Sequence, residues 1–230
     1  MIPYTTTGHC HGRWWTTVCI VCLASVHAWV QTQGMTAHLS QGYGLVPLRL
    51  NSDVSWQLLG SAAQLLPIVA YPVLHAGVIH IGLNLWGVWL FGGAVEDRLG
   101  YRVFWAVWMS ATIVSGMTYV ILEPSAVRPL IGASGCVAAM LGVCLVGLPD
   151  CRVKVWRLWR PSTFQSHHVL VYVAVWVGAS ILGFIVNVDH YQVVRAAVHG
   201  SGLILGMIIG YCVRPTPWML PPMYDSIEGK

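Results

Sequence analysis

The sequence predicts an all-α integral membrane protein, a bundle of six transmembrane helices with a partly submerged first external loop. Three observations carry that expectation. Of 230 residues, 56% are hydrophobic and only 9% charged, against roughly 25% charged in an average soluble domain, so the chain cannot cover a water-facing surface. A mean hydropathy of +0.66 together with 12 Trp fits a multi-span protein whose indoles anchor at the membrane interfaces. Apolar runs close to the ~20 residues that an ~30 Å hydrocarbon core requires recur along the whole chain.

Six segments meet or approach that length: 14–30, 77–95, 103–122, 130–148, 169–188 and 196–213. The first lacks a small-residue cleavage site and reads as a retained span rather than a signal peptide. The charges fall in the connections. Arg13, Arg98, Arg102, Arg152, Lys154, Arg157, Arg160, Arg214 and Lys230 lie on one side of a six-span arrangement, and Arg49, Arg128 and Arg195 on the other. Nine basic residues against three place both termini in the cytosol by the positive-inside rule. Residues 1–13 then form a cytosolic tail, 14–213 the membrane domain, and 214–230 a proline-rich C-terminal tail.

The stretch 58–74 resists the scheme. It is apolar enough for a seventh span, yet Gln57, Gln64, Pro67 and Pro72 flank or interrupt it. Counting it as a span leaves the charge tally unchanged, but the next span begins almost at once and leaves too little chain for a hairpin. A broken, partly submerged segment in the first external loop fits better, since irregular backbone at membrane depth is tolerated where protein or water surrounds it.

In this arrangement the second, fourth and sixth spans all run inward from the outer face, each with polar residues in its first turns. Ser134 lies four residues inside Leu130 and His199 four inside Arg195, roughly 6 Å below the boundary at 1.5 Å per residue. His80 and Asn84 occupy the same layer of the second span. Ionisable side chains inside a membrane are costly and by default face a cavity and serve a function.

A serine hydroxyl needs a base within hydrogen-bond reach to act as a nucleophile, and His199 is the candidate. Close approach of two membrane helices requires small residues at the interface. Ser134, Ala138 and Gly142 form such a stripe, and Gly202, Gly206 and Gly210 a second one beneath His199. Donors for a developing oxyanion, each contributing on the order of 3 kcal/mol, are available from the Asn84 amide and the Ser134 backbone N–H. His80 shares a helical face with Asn84. His75 lies off that face and is expected to brace the loop. Each feature alone has a bland account: a membrane serine often bonds its own helix, a histidine can bridge helices, and glycine stripes signal tight packing. Their coincidence at one depth favours a site.

Metal chemistry is a weaker reading. His75, His80 and His199 could hold zinc with an open fourth position, but no HExxH motif or intramembrane carboxylate accompanies them. Cys19 and Cys22 form a CxxC inside the first span, where thiolates would sit in lipid, so they read as packing residues. His9, Cys10 and His11 lack spaced partner ligands. Neither a metal nor another cofactor is expected.

The string His75-x4-His80-x3-Asn84, then 92–100 reading GGAVEDRLG, then Gly132-Ala133-Ser134-Gly135, then His199-x2-Gly202-x3-Gly206 closely resembles the rhomboid intramembrane serine proteases, in order, spacing and host helix over residues 75–210. The resemblance implies a Ser134–His199 dyad without a third acidic member, and an oxyanion hole from the Ser134 backbone, His80 and Asn84. His75, Gly132, Gly135, Gly202 and Gly206 become motif residues of structural role. Glu96 and Arg98 become structural too, pairing in the cytosolic turn after the second span. It implies hydrolysis of a peptide bond within or beside a transmembrane segment of a membrane-protein substrate. The site would face the extracytosolic or lumenal side. The lipid bilayer is then the working environment and nucleic acid no partner. The alternative is a catalytically silent relative that binds or escorts membrane helices. The sequence departs from many relatives in having Leu66-Pro67 where they carry Trp-Arg, and Ala138 where they often carry an aromatic residue.

Overall fold

The computed structural model describes residues 13–148, 151–157, 160–168, 171, 172, 174, 178 and 190–213. Four of its helices are long and apolar enough to cross a membrane: Trp14–Thr32, Val78–Leu99, Tyr101–Leu122 and His190–Val213. Among the described residues the helices with defined bounds are, in chain order, α1 (Trp14–Thr32), α2 (Thr36–Tyr43), α3 (Pro47–Leu50), α4 (Asp53–Ala70), α5 (Val78–Gly87), α6 (Gly93–Leu99), α7 (Tyr101–Leu122), α8 (Ser134–Gly147) and α9 (His190–Val213). A π turn over Val88–Gly92 joins α5 to α6 without a break. A single 3-10 turn, Tyr71–Val73, follows α4.

Each boundary has a local cause. Ser52 caps α4 by accepting from the Ser55 N–H, with Asp53 in the first turn, where a negative charge is favoured. Gly60, at φ 74 and ψ 163, breaks α4 in its middle, a conformation that only glycine adopts without strain. The stretch 58–74 is thus interrupted as the sequence suggests, though at Gly60 rather than at Pro67, which sits inside the helix. Gly100, at φ 83, ends α6 and opens α7.

At the centre lies α8, apolar on every side and buried along nearly its whole length, the signature of a helix surrounded by other helices. It packs chiefly against α9, with α7 beside both. Outward faces are apolar and exposed: Ile204 (59%), Ile208 (58%) and Tyr211 (75%) line one side of α9. Such a continuous apolar surface needs lipid rather than water as its neighbour.

The α8–α9 contact is backbone against backbone. A Cβ at Gly206 would collide with the Ala139 carbonyl. One at Gly142 would meet the Leu203 carbonyl and, at 2.8 Å, the Met207 nitrogen. One at Gly210 would lie 2.9 Å from the Gly147 nitrogen. Gly202 faces the Gly135 carbonyl. The stripe on α9 is the expected one, but on α8 the facing residues are Gly135, Ala139, Gly142 and Gly147. Ala138 is buried and belongs to a different side.

Other boundaries shift from the sequence reading. The span predicted over 130–148 is a helix only from Ser134 to Gly147, because Leu130 is held in an isolated bridge to Leu45, the two exchanging N–H···O bonds of 2.9 and 3.1 Å, and Gly132, at φ +108, turns the chain before the helix begins. The sixth span starts at His190 rather than 196, with no proline or glycine to delay it. An antiparallel hairpin, β1 (Arg152–Arg157) and β2 (Arg160–His168), follows α8 where a plain loop was expected. The alternation of Val153 and Val155 with Arg152 and Lys154 is a short period-2 signal for it. The predicted fifth span, 169–188, lies almost wholly outside the described residues, as do residues 1–12 and 214–230.

Glu96 does not pair with Arg98. Its carboxylate turns to the start of α1 and accepts from the Trp15 N–H (2.9 Å), the Thr16 N–H (2.7 Å) and the Thr16 hydroxyl (2.6 Å). Those amides are among the unsatisfied donors of a helix N-terminus, where a carboxylate also complements the macrodipole. The neighbouring Asp97 accepts from Arg13 Nε at 2.6 Å, and the Arg13 guanidinium lies over Trp89, 5.4 Å from the ring centroid. Glu96→Gln replaces one acceptor by a donor facing donors, and is expected to cost about 2–3 kcal/mol, read as a lowered midpoint of thermal unfolding in detergent. Arg98→Gln should lower it less.

Candidate active site

Tyr71 and His75 hold the last residues of the loop before α8. The Gly132 N–H donates to the Tyr71 carbonyl at 3.0 Å, and the Tyr71 hydroxyl donates to the Thr112 carbonyl at 2.9 Å. The Ala133 N–H approaches His75 Nε2 at 3.5 Å. Gly132 itself has φ +108, and a Cβ there would lie 2.6 Å from His80 Nε2, so both conformation and space demand glycine. Gly135 is equally constrained, because a Cβ would meet Ser115 Oγ at 2.5 Å.

Ser134 is the first residue of α8, not one turn inside it. Its Oγ lies 2.7 Å from His199 Nε2, within the range of a strong O–H···N bond. Both side chains open into a cavity of about 560 Å³, whose wall also carries His80, Tyr119, Arg128 and Arg195. His199 comes from the third turn of α9, and the glycine contacts below it set the distance between the helices.

His80 stands on the cavity wall beside Gly132. Its Nδ1 accepts from the Ala76 N–H at 3.4 Å, which leaves the proton on Nε2 as a donor. Asn84 lies one turn below, buried, and one N–H of its amide donates to the His80 carbonyl at 2.8 Å. The structure therefore brings Ser134, His199 and His80 together, with Asn84 behind His80 rather than on the cavity lining.

His75 packs edge-on to His80, ring centroids 5.0 Å apart, and its Nδ1 meets the Val73 carbonyl at 3.3 Å. Burial, followed by the neighbouring His80 imidazole, pushes the His75 pKa from 6.5 down to about 4. The folded protein thus keeps this ring neutral while an unfolded chain protonates it near pH 6.5. The sign follows by linkage. Stability is full above pH 6.5 and falls as the pH drops towards 4. Unfolding midpoints in detergent should decrease through that window, and His75→Gln should flatten the slope.

Several residues here carry no motif that marks them. Ser115 Oγ is buried between Gly135 and Gly202. Tyr71 and Tyr119 tie the loop from outside, Tyr119 by donating to the Arg128 carbonyl at 2.9 Å. Arg195 was legible only as a boundary charge, although its place four residues before His199 puts both on one face of a helix.

A hydroxyl and an imidazole in hydrogen-bond contact, both opening into a cavity among apolar helices, have the arrangement of a nucleophile beside its base. The profile of the rhomboid domain matches residues 62–216. The chain belongs to the rhomboid family. It is 26% identical over 154 residues to "Presenilin-associated rhomboid-like protein A, mitochondrial" of Danio rerio, covering 66% of this chain and 38% of that protein. Over 143 residues it is 28% identical to "Rhomboid protease GlpG" of Serratia proteamaculans (strain 568), covering 62% and 46%. Over 164 residues it is 21% identical to "RHOMBOID-like protein 5" of Arabidopsis thaliana, covering 68% and 49%. In each case the match spans less than half of the relative's own length.

Proposed function

We propose that this protein is an intramembrane serine endopeptidase that cleaves transmembrane segments of membrane proteins. The observation that carries the reading is the 2.7 Å contact between Ser134 Oγ and His199 Nε2. In the proposed reaction His199 Nε2 takes the hydroxyl proton as Ser134 Oγ attacks the peptide carbonyl carbon, and later returns it to the leaving amine. The oxyanion is met by the Ser134 backbone N–H and the Nε2–H of His80. The Asn84 amide has a second N–H to offer, which requires it to swing past His80. Glycines on both sides of Ser134 leave room for the substrate backbone.

On this reading residues 14–213 form one membrane domain of six spans, with 169–188 as the fifth. Both termini are cytosolic and the cavity opens on the extracytosolic or lumenal side. The segment broken at Gly60 lies partly submerged. Substrates are membrane proteins presented within the bilayer, and no cofactor takes part. The silent-relative alternative has no observation in its favour, because serine and histidine are both present and in contact.

The test is labelling with a fluorophosphonate probe in detergent alongside cleavage of a generic single-span substrate in liposomes. Labelling confined to Ser134 and appearance of two membrane-derived fragments are expected. A protein that neither labels nor cleaves would refute the assignment.

A further inference from the structure

We propose that Arg128 and Arg195 form a specificity site for an acidic substrate residue a few positions from the scissile bond, towards the mouth of the cavity. The proposal rests on the proteolytic reading of the same cavity. Four observations carry it. Both arginines line the wall that holds Ser134 and His199, and among the described residues that wall contains no Asp or Glu. Arg195 stands one helical turn above His199 on α9, about 6 Å along the axis. Arg128 is fastened twice: its carbonyl accepts from the Tyr119 hydroxyl at 2.9 Å, and its guanidinium stacks on Tyr191, 3.9 Å from the ring centroid. Among the described residues, the carboxylate nearest Arg128 in sequence, Glu123, is already taken by His190.

A stacked guanidinium keeps its edge N–H groups free to donate, and a planar fork matches a carboxylate better than it matches a neutral amide. Arg195 Nη1 spends one donor on the Gln192 side-chain oxygen at 3.2 Å, which steadies it and leaves the others. Because an extended peptide advances about 3.3 Å per residue, a carboxylate two or three residues from the attacked carbonyl reaches this height. A substrate carboxylate is favoured over a lipid phosphate as occupant because the cavity that presents the arginines is continuous with Ser134.

The test uses the full chain in phosphatidylcholine liposomes and single-span substrates that differ only in carrying Asp, Asn or Lys at one to four residues from the cleaved bond. At the best position kcat/KM should rank Asp above Asn above Lys, with Asp about tenfold over Asn, equivalent to about 1.4 kcal/mol. The Asp preference should shrink when salt rises from about 0.05 to 0.5 M. Arg128→Gln and Arg195→Gln should each bring the Asp/Asn ratio towards one, and Arg195→Glu should place Lys above Asp. Equal rates for Asp and Asn at every position, or a ratio that survives both Gln variants, would overturn the proposal. So would arginine variants that alter only a stimulation by phosphatidylglycerol, since the arginines would then serve lipid headgroups. Binding of fluorescent Asp and Asn peptides to the Ser134→Ala protein separates the two readings. An Asp preference there without cleavage by wild type removes the protease and keeps the acid site, and cleavage without preference does the reverse.

Discussion

Ser134→Ala and His199→Ala are each expected to lower cleavage of a reconstituted transmembrane substrate by about 10³-fold or more, since nucleophile and base act as a unit. The first removes one oxygen at the start of α8, next to a loop held by the Gly132 bond to Tyr71 and a contact from Ala133 to His75, so the fold should persist. The second leaves the Ser134 hydroxyl with no imidazole at 2.7 Å to receive its proton. Fragment yield against time, with an unchanged unfolding midpoint for Ser134→Ala, is the measurement. Turnover by either variant at the wild-type rate would dismiss the dyad. The double variant should be no slower than either single one.

The second large effect concerns the helix contact that sets this geometry. Gly206→Val drives a branched side chain into the Ala139 carbonyl, where even a Cβ finds no room. Overpacking of a close-packed contact costs about 1–3 kcal/mol, and more when backbone must move. Here α9 would have to retreat from α8, taking His199 with it. Cleavage should be lost together with several degrees of thermal stability. Gly200→Ala offers the contrast: nothing lies within 4 Å of its Cβ position, and stability should be unchanged. Equal tolerance of both would mean that the glycine stripe does not fix the distance between dyad partners.

The site was legible in the sequence where its chemistry is tied to spacing. Ser134, His199, His80 and the α9 glycines are singled out by motif order and helical periodicity, and the structure brings them together; the broken segment before His75 is read instead from its prolines and glutamines and the short connection to the next span. What was not legible came from contacts between distant segments. The start of α8 at Ser134 depends on Leu45 pairing with Leu130, 85 residues away by number, and no helical period reports such a pairing. The α8 stripe slipped by one residue, from Ala138 to Ala139, because the small residues on that helix are too many to single out one face. The pairing of Glu96 with Arg98 that the resemblance implies gives way to a cap on α1, a contact across 80 residues that local sequence does not report. The hairpin over 152–168 leaves only a four-residue alternation, Arg152 to Val155, in the sequence, too short to stand out from a charged loop.

The carboxylate of Glu96 has a further implication for how the chain is made. Thr16 and Glu96 are 80 residues apart, so at about 5–20 residues per second several seconds of synthesis separate the emergence of α1 from that of its cap. During that interval the first helix is held by its insertion alone, with its leading amides unanswered. Arrival of the α6 turn then supplies two carboxylates at once, Glu96 to the amides and Asp97 to Arg13. The first and second membrane crossings are therefore joined by contacts that involve neither Ser134 nor His199, so the pair can assemble without the candidate site.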